Sequence, residues 1–267
     1  DQNSVFQKIV MRITNTSPKY IIQFFLSKLF GIKKFVPDYI VVGGRMAENS
    51  YMHSHSKIIR AHNFDYDFIL QDKKNDDAVE SYILFLDEYC CYHSDYIHNS
   101  IKPCASPKKY FPTMNKGLML IAKALDSEVF VAAHPRSDLK NISSSFQYPV
   151  VQSSTFDLIK NAQLIVAHGS TAIQMAILCR KPILLVTTDE LEKSWCAATY
   201  GSYRRALKKN VINFDHLPNN LDFSVESKID GFIYNQYIEN YIKQVDSPNE
   251  SLWTIVINDL EMDLEII

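Results

Sequence analysis

Short runs of consecutive apolar residues alternate along the chain with longer stretches in which apolar positions recur every three or four residues. The runs are Tyr39–Val42, Tyr82–Leu86, residues 128–133, Val150–Val151, Leu164–Ala167, residues 183–186 and Val211–Asn213, with residues 57–62 a further candidate. Runs so short and so continuously apolar predict strands buried on both faces, as in a parallel sheet. Between them the spacing predicts helices over residues 112–125, Thr155–Asn161, residues 172–177 and a stretch ending at Leu207. From the linker onward, five or six such strands alternating with helices give an α/β fold: a Rossmann-type parallel sheet with helices on both faces. Two helices are expected before it, over residues 5–13 and 18–30. After it, Tyr234, Tyr237, Ile238, Tyr241 and Ile242 form one stripe, and Leu252, Ile255, Val256 and Leu260 another, predicting tail helices that pack across the domain or back onto the amino-terminal part.

The chemistry-bearing residues sit where predicted strands stop. Leu164–Ala167 runs into His168-Gly169-Ser170-Thr171 and then a helix, with Lys181-Pro182 closing that helix before the next strand. In this β-α-β unit Ser170 or Thr171 is expected to cap the helix, whose free N–H groups and dipole favour an anion, with Gly169 letting the anion approach the backbone. The run at 128–133 ends in His134-Pro135-Arg136-Ser137. Pro135 stiffens the turn, His134 can hydrogen-bond or pair with a phosphate oxygen, and Arg136 can add a charge. Tyr82–Leu86 ends in Asp87-Glu88-Tyr89. A carboxylate there can act as general base toward a hydroxyl or as nucleophile at a sugar carbon, or can merely cap a turn; Asp87, directly after the apolar run, is favoured over Glu88. Ser153-Ser154-Thr155 caps the following helix and offers Ser153 to a ligand. Because the carboxyl ends of neighbouring parallel strands converge on one crevice, His134 and Ser170 are expected to serve the same ligand.

Other features narrow the possibilities. A composition 46% apolar and 22% charged belongs to a folded globular chain, and a net charge of -2 gives no general attraction to nucleic acid. Cys90, Cys91, Cys104, Cys179 and Cys196 lack paired spacing and are expected to be reduced thiols in a cytoplasmic protein. Residues 20–30, the most apolar early segment, are broken by Gln23 and Lys28 and are too short to span a bilayer. Asp65 with Asp67 and His53 with His55 lack third ligands, so no metal is assigned. Gly43-Gly44 reads as a turn. The basic cluster Tyr203-Arg204-Arg205 with Lys208-Lys209 is a solvated face or a contact for an anionic acceptor or a membrane surface. The charged, glycine-free stretch 71–80 marks a boundary. The expected division is 1–75 as the remainder of an amino-terminal, acceptor-side domain, 76–215 as a nucleotide-sugar-binding domain, and 216–267 as helices crossing back.

Taken together, the Asp87-Glu88 pair, His134-Pro135 and the Ser170-Thr171 pair opening a helix resemble the carboxyl-terminal half of bacterial GT-B glycosyltransferases that use CMP-activated acidic sugars, the sialyltransferases, polysialyltransferases and Kdo transferases. The resemblance covers roughly residues 81–215. It implies a donor-binding half with a GT-B-like fold, with His134, Ser170 and Thr171 on the CMP phosphate and an acidic residue at position 87 or 88 for chemistry. The sialyltransferase acidic motif usually continues with glycine, where Tyr89 stands here. The implied partners are a CMP-sugar donor and a glycan or glycolipid acceptor, with no further cofactor, and contact with the inner face of the membrane or with assembly machinery. A GT-B enzyme carries more amino-terminal sequence than precedes the linker, so the chain, which opens at Asp1, is expected to be truncated. A CDP-polyol phosphotransferase of the teichoic-acid type and a non-catalytic nucleotide-binding scaffold are the alternatives.

Overall fold

The computed structural model describes residues 37–51, 55–72, 82–218 and 221–264. The helices expected over 5–13 and 18–30, most of the 71–80 stretch on which the domain division rests, and His53 lie outside them. Two strands, β1 (Tyr39–Val42) and β2 (Lys57–Arg60), pair in parallel as a sheet of their own. A second, six-stranded sheet is built from β3 (Tyr82–Leu86), β4 (Glu128–Ala132), β5 (Val150–Val151), β6 (Leu164–Ala167), β7 (Ile183–Thr187) and β8 (Val211–Asn213). All its pairings are parallel and the strands lie in the order β5-β4-β3-β6-β7-β8. The chain winds outward from β3 in one direction, then returns beside β3 with β6 and winds outward in the other. That reversal between β3 and β6 is a topological switch point, where an open α/β sheet leaves a crevice beyond its strand ends.

The continuous apolar runs are explained by burial on both faces. Alternate residues divide: Ile83, Phe85, Val129, Val131, Val166 and Val186 face one layer, anchored by Tyr110, Met114, Leu118 and Ile121 of the Pro107–Leu125 helix. Leu84, Leu86, Ile165, Ala167, Ile183 and Leu185 face the other, covered by the helices Thr155–Asn161, Ile173–Leu178, Ala197–Leu207 and Gly231–Tyr237. Truncating a fully buried residue such as Leu118 or Ile121 to alanine is worth about 2–5 kcal/mol at such sites.

Two helix expectations need correction. The helix expected from residue 112 begins at Pro107, a proline that fits the first turn because its missing N–H would be unpaired there anyway. Pro112 lies inside it and removes one ladder bond, which the burial of Tyr110, Phe111 and Met114 around it offsets. The single helix expected to end at Leu207 is two, Asp189–Lys193 and Ala197–Leu207, separated at Ser194-Trp195-Cys196.

The tail contacts both sheets. Tyr234, Tyr237 and Ile242 complete the second layer of the large sheet, while Leu252, Ile255 and Val256 pack on Ile59 and Ala61 beside β2. Asp67 accepts from the N–H of Leu252 at 3.0 Å, satisfying the start of the Leu252–Leu264 helix. Gly44 is where two backbones nearly touch: an added Cβ would lie 2.3 Å from the Asn240 carbonyl group. Among the described residues no helix is long and apolar enough to cross a membrane.

Candidate functional site

Outside the switch point lies a cleft of about 280 Å³. The loops after β3, β4 and β6 all reach it, bringing together Glu88, His134, Gly169, Ser170 and Thr171. The Ala197–Leu207 helix and the turn before it close the far side with Trp195, Cys196, Thr199 and Tyr200.

Of the two acids after β3, the structure turns Glu88 toward the cleft and Asp87 away from it. Asp87 is 6% exposed and its carboxylate accepts the N–H of Tyr89 at 3.2 Å. Burial pushes its pKa up to about 7 against the two backbone hydrogen bonds it receives. Glu88 reaches across the switch point to β6, where Gly169 donates its N–H to Oε1 at 2.6 Å and Ser170 donates a second. Burial raises the Glu88 pKa to about 7, the Gly169 bond opposes it, and the neighbouring Asp87 charge adds to the rise. This tight reversal needs Tyr89 at φ 55°, the left-handed backbone that glycine adopts freely. Tyr89 adopts this backbone while carrying a side chain, which packs against Tyr92.

The anion cradle expected at Gly169-Ser170 is thus already filled by the chain's own carboxylate. Nor do Ser170 and Thr171 cap the helix. It starts at Ile173, with Ala172 in the capping position, and is six residues long. Ser170 instead closes the connecting turn, its Oγ accepting the Ala172 N–H at 3.3 Å, while the Ser170 and Thr171 side chains line the cleft. Packing also requires glycine at position 169, because a Cβ there would lie 2.2 Å from the Tyr200 ring.

His134 is half-buried, and its Nδ1 accepts the Arg136 N–H at 3.2 Å. The neutral ring therefore carries its proton on Nε2. Burial, then the neighbouring His93 and Arg136, lower its pKa, so the neutral donor form prevails near pH 7. Pro135 and Arg136 are exposed, and Arg136 pairs with Asp95 at 3.0 Å on the rim. Ser153 is exposed and does not line the cleft; its neighbour Ser154 caps the Thr155–Asn161 helix through Asp157. His168 is a core residue. Its Nδ1 donates to the Val186 carbonyl at 2.8 Å and its Nε2 takes the Tyr110 hydroxyl at 2.9 Å. Full burial lowers its pKa to about 4.

Sequence reasoning missed the cleft's aromatic and cysteine wall. Tyr96 meets Trp195 edge to face at 6.0 Å, and Trp195 donates to the Lys102 carbonyl at 3.1 Å. The five cysteines are not all thiols: Cys104 and Cys196, 92 residues apart in sequence, form a disulfide at this wall, while Cys90, Cys91 and Cys179 are free. Spacing along the chain carried no sign of that pairing, because it joins two loops that only the sheet brings together. The exposed Arg204, Arg205 and Lys208 lie at the opposite edge of the sheet, before β8. Among the described residues no group of three or more His, Cys, Asp or Glu side chains is placed to hold a metal.

No protein family and no curated protein matches the sequence. Solved structures similar to the chain include the UDP-GlcNAc 2-epimerase of Methanocaldococcus jannaschii in complex with UDP-GlcNAc and UDP, at 16% identity and a TM-score of 0.46 over 84% of this chain and 61% of that one. The wall teichoic acid polymerase TagF is similar at 13% identity and 0.46, over 85% and 59%. A glycotransferase of kitacinnamycin is similar at 10% identity and 0.37, over 70% and 44%. The chain spans about three fifths of the length of the first two.

Proposed function

We propose that the chain is the donor-binding part of a GT-B-type glycosyltransferase that moves a nonulosonic or Kdo-type sugar from CMP onto a surface glycan. One observation carries the reading: Glu88, His134 and the Ser170-Thr171 pair come from three separate strand ends and face one cleft at the switch point.

In this reading Glu88 replaces Asp87 as the reacting carboxylate. Two backbone N–H groups fix its direction, and a pKa of about 7 lets it take a proton near neutrality. As the acceptor oxygen attacks the anomeric carbon, Glu88 removes its proton. The bond from that carbon to the phosphate oxygen breaks, and CMP leaves with the electron pair. The His134 Nε2–H and the Ser170 and Thr171 hydroxyls donate to the departing phosphate, stabilising charge as it grows without a divalent cation. Trp195 and Tyr96 on the far wall offer flat apolar surface to a ring of the ligand.

Calorimetric titration tests it. CMP is expected to bind in the presence of chelator and to bind at least tenfold more weakly to His134→Ala, a loss of about 1.4 kcal/mol or more. Tighter binding of UDP, GDP or CDP-glycerol than of CMP contradicts the donor assignment.

A further inference from the structure

We infer that His93 is the second half of a two-imidazole clamp on the donor's phosphate, with His134 as the first. The inference rests on reading the cleft as a nucleotide-sugar site and adds a ligand-binding residue to it.

His93 lies in the loop after β3, His134 in the loop after β4, and both line the cleft. Their rings meet edge to face with centroids 4.8 Å apart. Each is held in the same way, by a backbone N–H two residues further along the chain. Asp95 donates to His93 Nδ1 at 3.2 Å and Arg136 donates to His134 Nδ1 at 3.2 Å. An acceptor role at Nδ1 leaves the proton of a neutral imidazole on Nε2. Two rings that satisfy Nδ1 on their own loops therefore each keep one N–H donor, and no hydrogen bond among the described residues engages either Nε2. The Asp95–Arg136 ion pair, 3.0 Å, ties the two loops together, and Asp95 itself lines the cleft with its carboxylate 3.6 Å from His93 Nδ1. Side chains of His93 are 16% exposed, too enclosed for a freely solvated surface histidine.

The occupancy of the β6 turn makes this pair matter. With the Gly169 and Ser170 N–H groups committed to Glu88, the donors left at the cleft include the two imidazoles and the Ser170, Thr171 and Thr199 hydroxyls. A phosphate facing both rings accepts one bond from each.

Binding of CMP, UMP and GMP, each measured against its own nucleoside, isolates the phosphate contribution in wild type and in His93→Ala, His93→Gln and His93→Asn. Glutamine carries its amide near the reach of Nε2 and asparagine near that of Nδ1. The clamp predicts that His93→Ala loses roughly tenfold or more of the nucleotide affinity and none of the nucleoside affinity. His93→Gln then recovers part of the loss and His93→Asn does not. Recovery by asparagine alone, or an equal loss for nucleotide and nucleoside, identifies His93 as a support for its loop and overturns the clamp. The base preference reports separately on the donor: if UMP or GMP binds tighter than CMP while the His93 pattern holds, the clamp stands and the CMP assignment falls. Absence of binding by all three nucleotides overturns both.

Discussion

Glu88 accepts the backbone N–H of Gly169 at 2.6 Å, so a carboxylate from the first strand of the large sheet is locked onto the end of the fourth across the point where strand order reverses. The contact explains why one acid of the Asp87-Glu88 pair faces the cleft and the other does not. It also holds the Glu88 carboxylate where the peptide dipoles of the β6 turn steady its direction.

Glu88→Gln is expected to keep CMP binding and to lose about 10²–10⁴-fold in turnover, the usual range for removing a general base. Asp87→Asn acts through Glu88 instead. Removing the Asp87 charge lowers the Glu88 pKa, so the rise of activity with pH, expected near pH 7 as Glu88 loses its proton, moves to lower pH while turnover at its plateau persists. Comparing the pH–rate profiles of the two variants separates the roles. A plateau abolished in Asp87→Asn and kept in Glu88→Gln reverses them.

The same carboxylate shapes stability. The folded-state pKa of Glu88, about 7, lies above its ordinary 4.5, so the protonated side chain is the one the fold prefers. Its contribution is fully present below about pH 4.5 and is lost as pH rises through 7. His168 runs the other way: with a folded pKa of about 4 against an ordinary 6.5, it contributes above pH 6.5 and loses that contribution as pH falls toward 4. Urea denaturation across this range is expected to show wild type losing stability relative to Glu88→Gln between pH 4.5 and 7, with the difference flat above about pH 8.

Gly169→Ala is expected to cost roughly 1–3 kcal/mol, the usual penalty for overpacking, because the new methyl group meets the Tyr200 ring at 2.2 Å. Tyr200 stands against the cleft, so its displacement also weakens CMP binding. Tyr200→Ala in the same chain restores room for the methyl group, and the two substitutions together are expected to be less destabilising than their sum. Strict additivity in thermal melts contradicts the contact.

Thiol titration in denaturant without reductant is expected to count three reactive groups, Cys90, Cys91 and Cys179, and five after reduction. Because the bridge closes a loop of 92 residues, reducing it is expected to lower stability by about 4–5 kcal/mol. Five thiols before reduction contradicts the pairing.

Where the sequence could be read, the reason is physical. Tyr82–Leu86 and Ile183–Thr187 are buried at every position, so their composition alone fixes them as central strands, and the order of strands and helices then brings His134 and Ser170 to one edge. Side-chain direction at a turn is a different matter. Whether Asp87 or Glu88 faces outward depends on the left-handed backbone at Tyr89, a residue that does not advertise it. The amides of Gly169 and Ser170 look available in sequence, and only the fold reveals that Glu88, 81 residues earlier than Gly169, uses them. His93 carried no strand-end signal, because it sits seven residues past β3 in a loop whose path is set by the Tyr89 reversal and the Asp95–Arg136 pair.

A crystal structure of the protein soaked with CMP tests the central claim most directly. The phosphate is expected between the His134 imidazole and the Ser170-Thr171 hydroxyls, with the Glu88 carboxylate on the side where the sugar would be attached. A nucleotide seated outside this cleft, or a phosphate turned away from His134 with Asp87 as the nearer carboxylate, contradicts it.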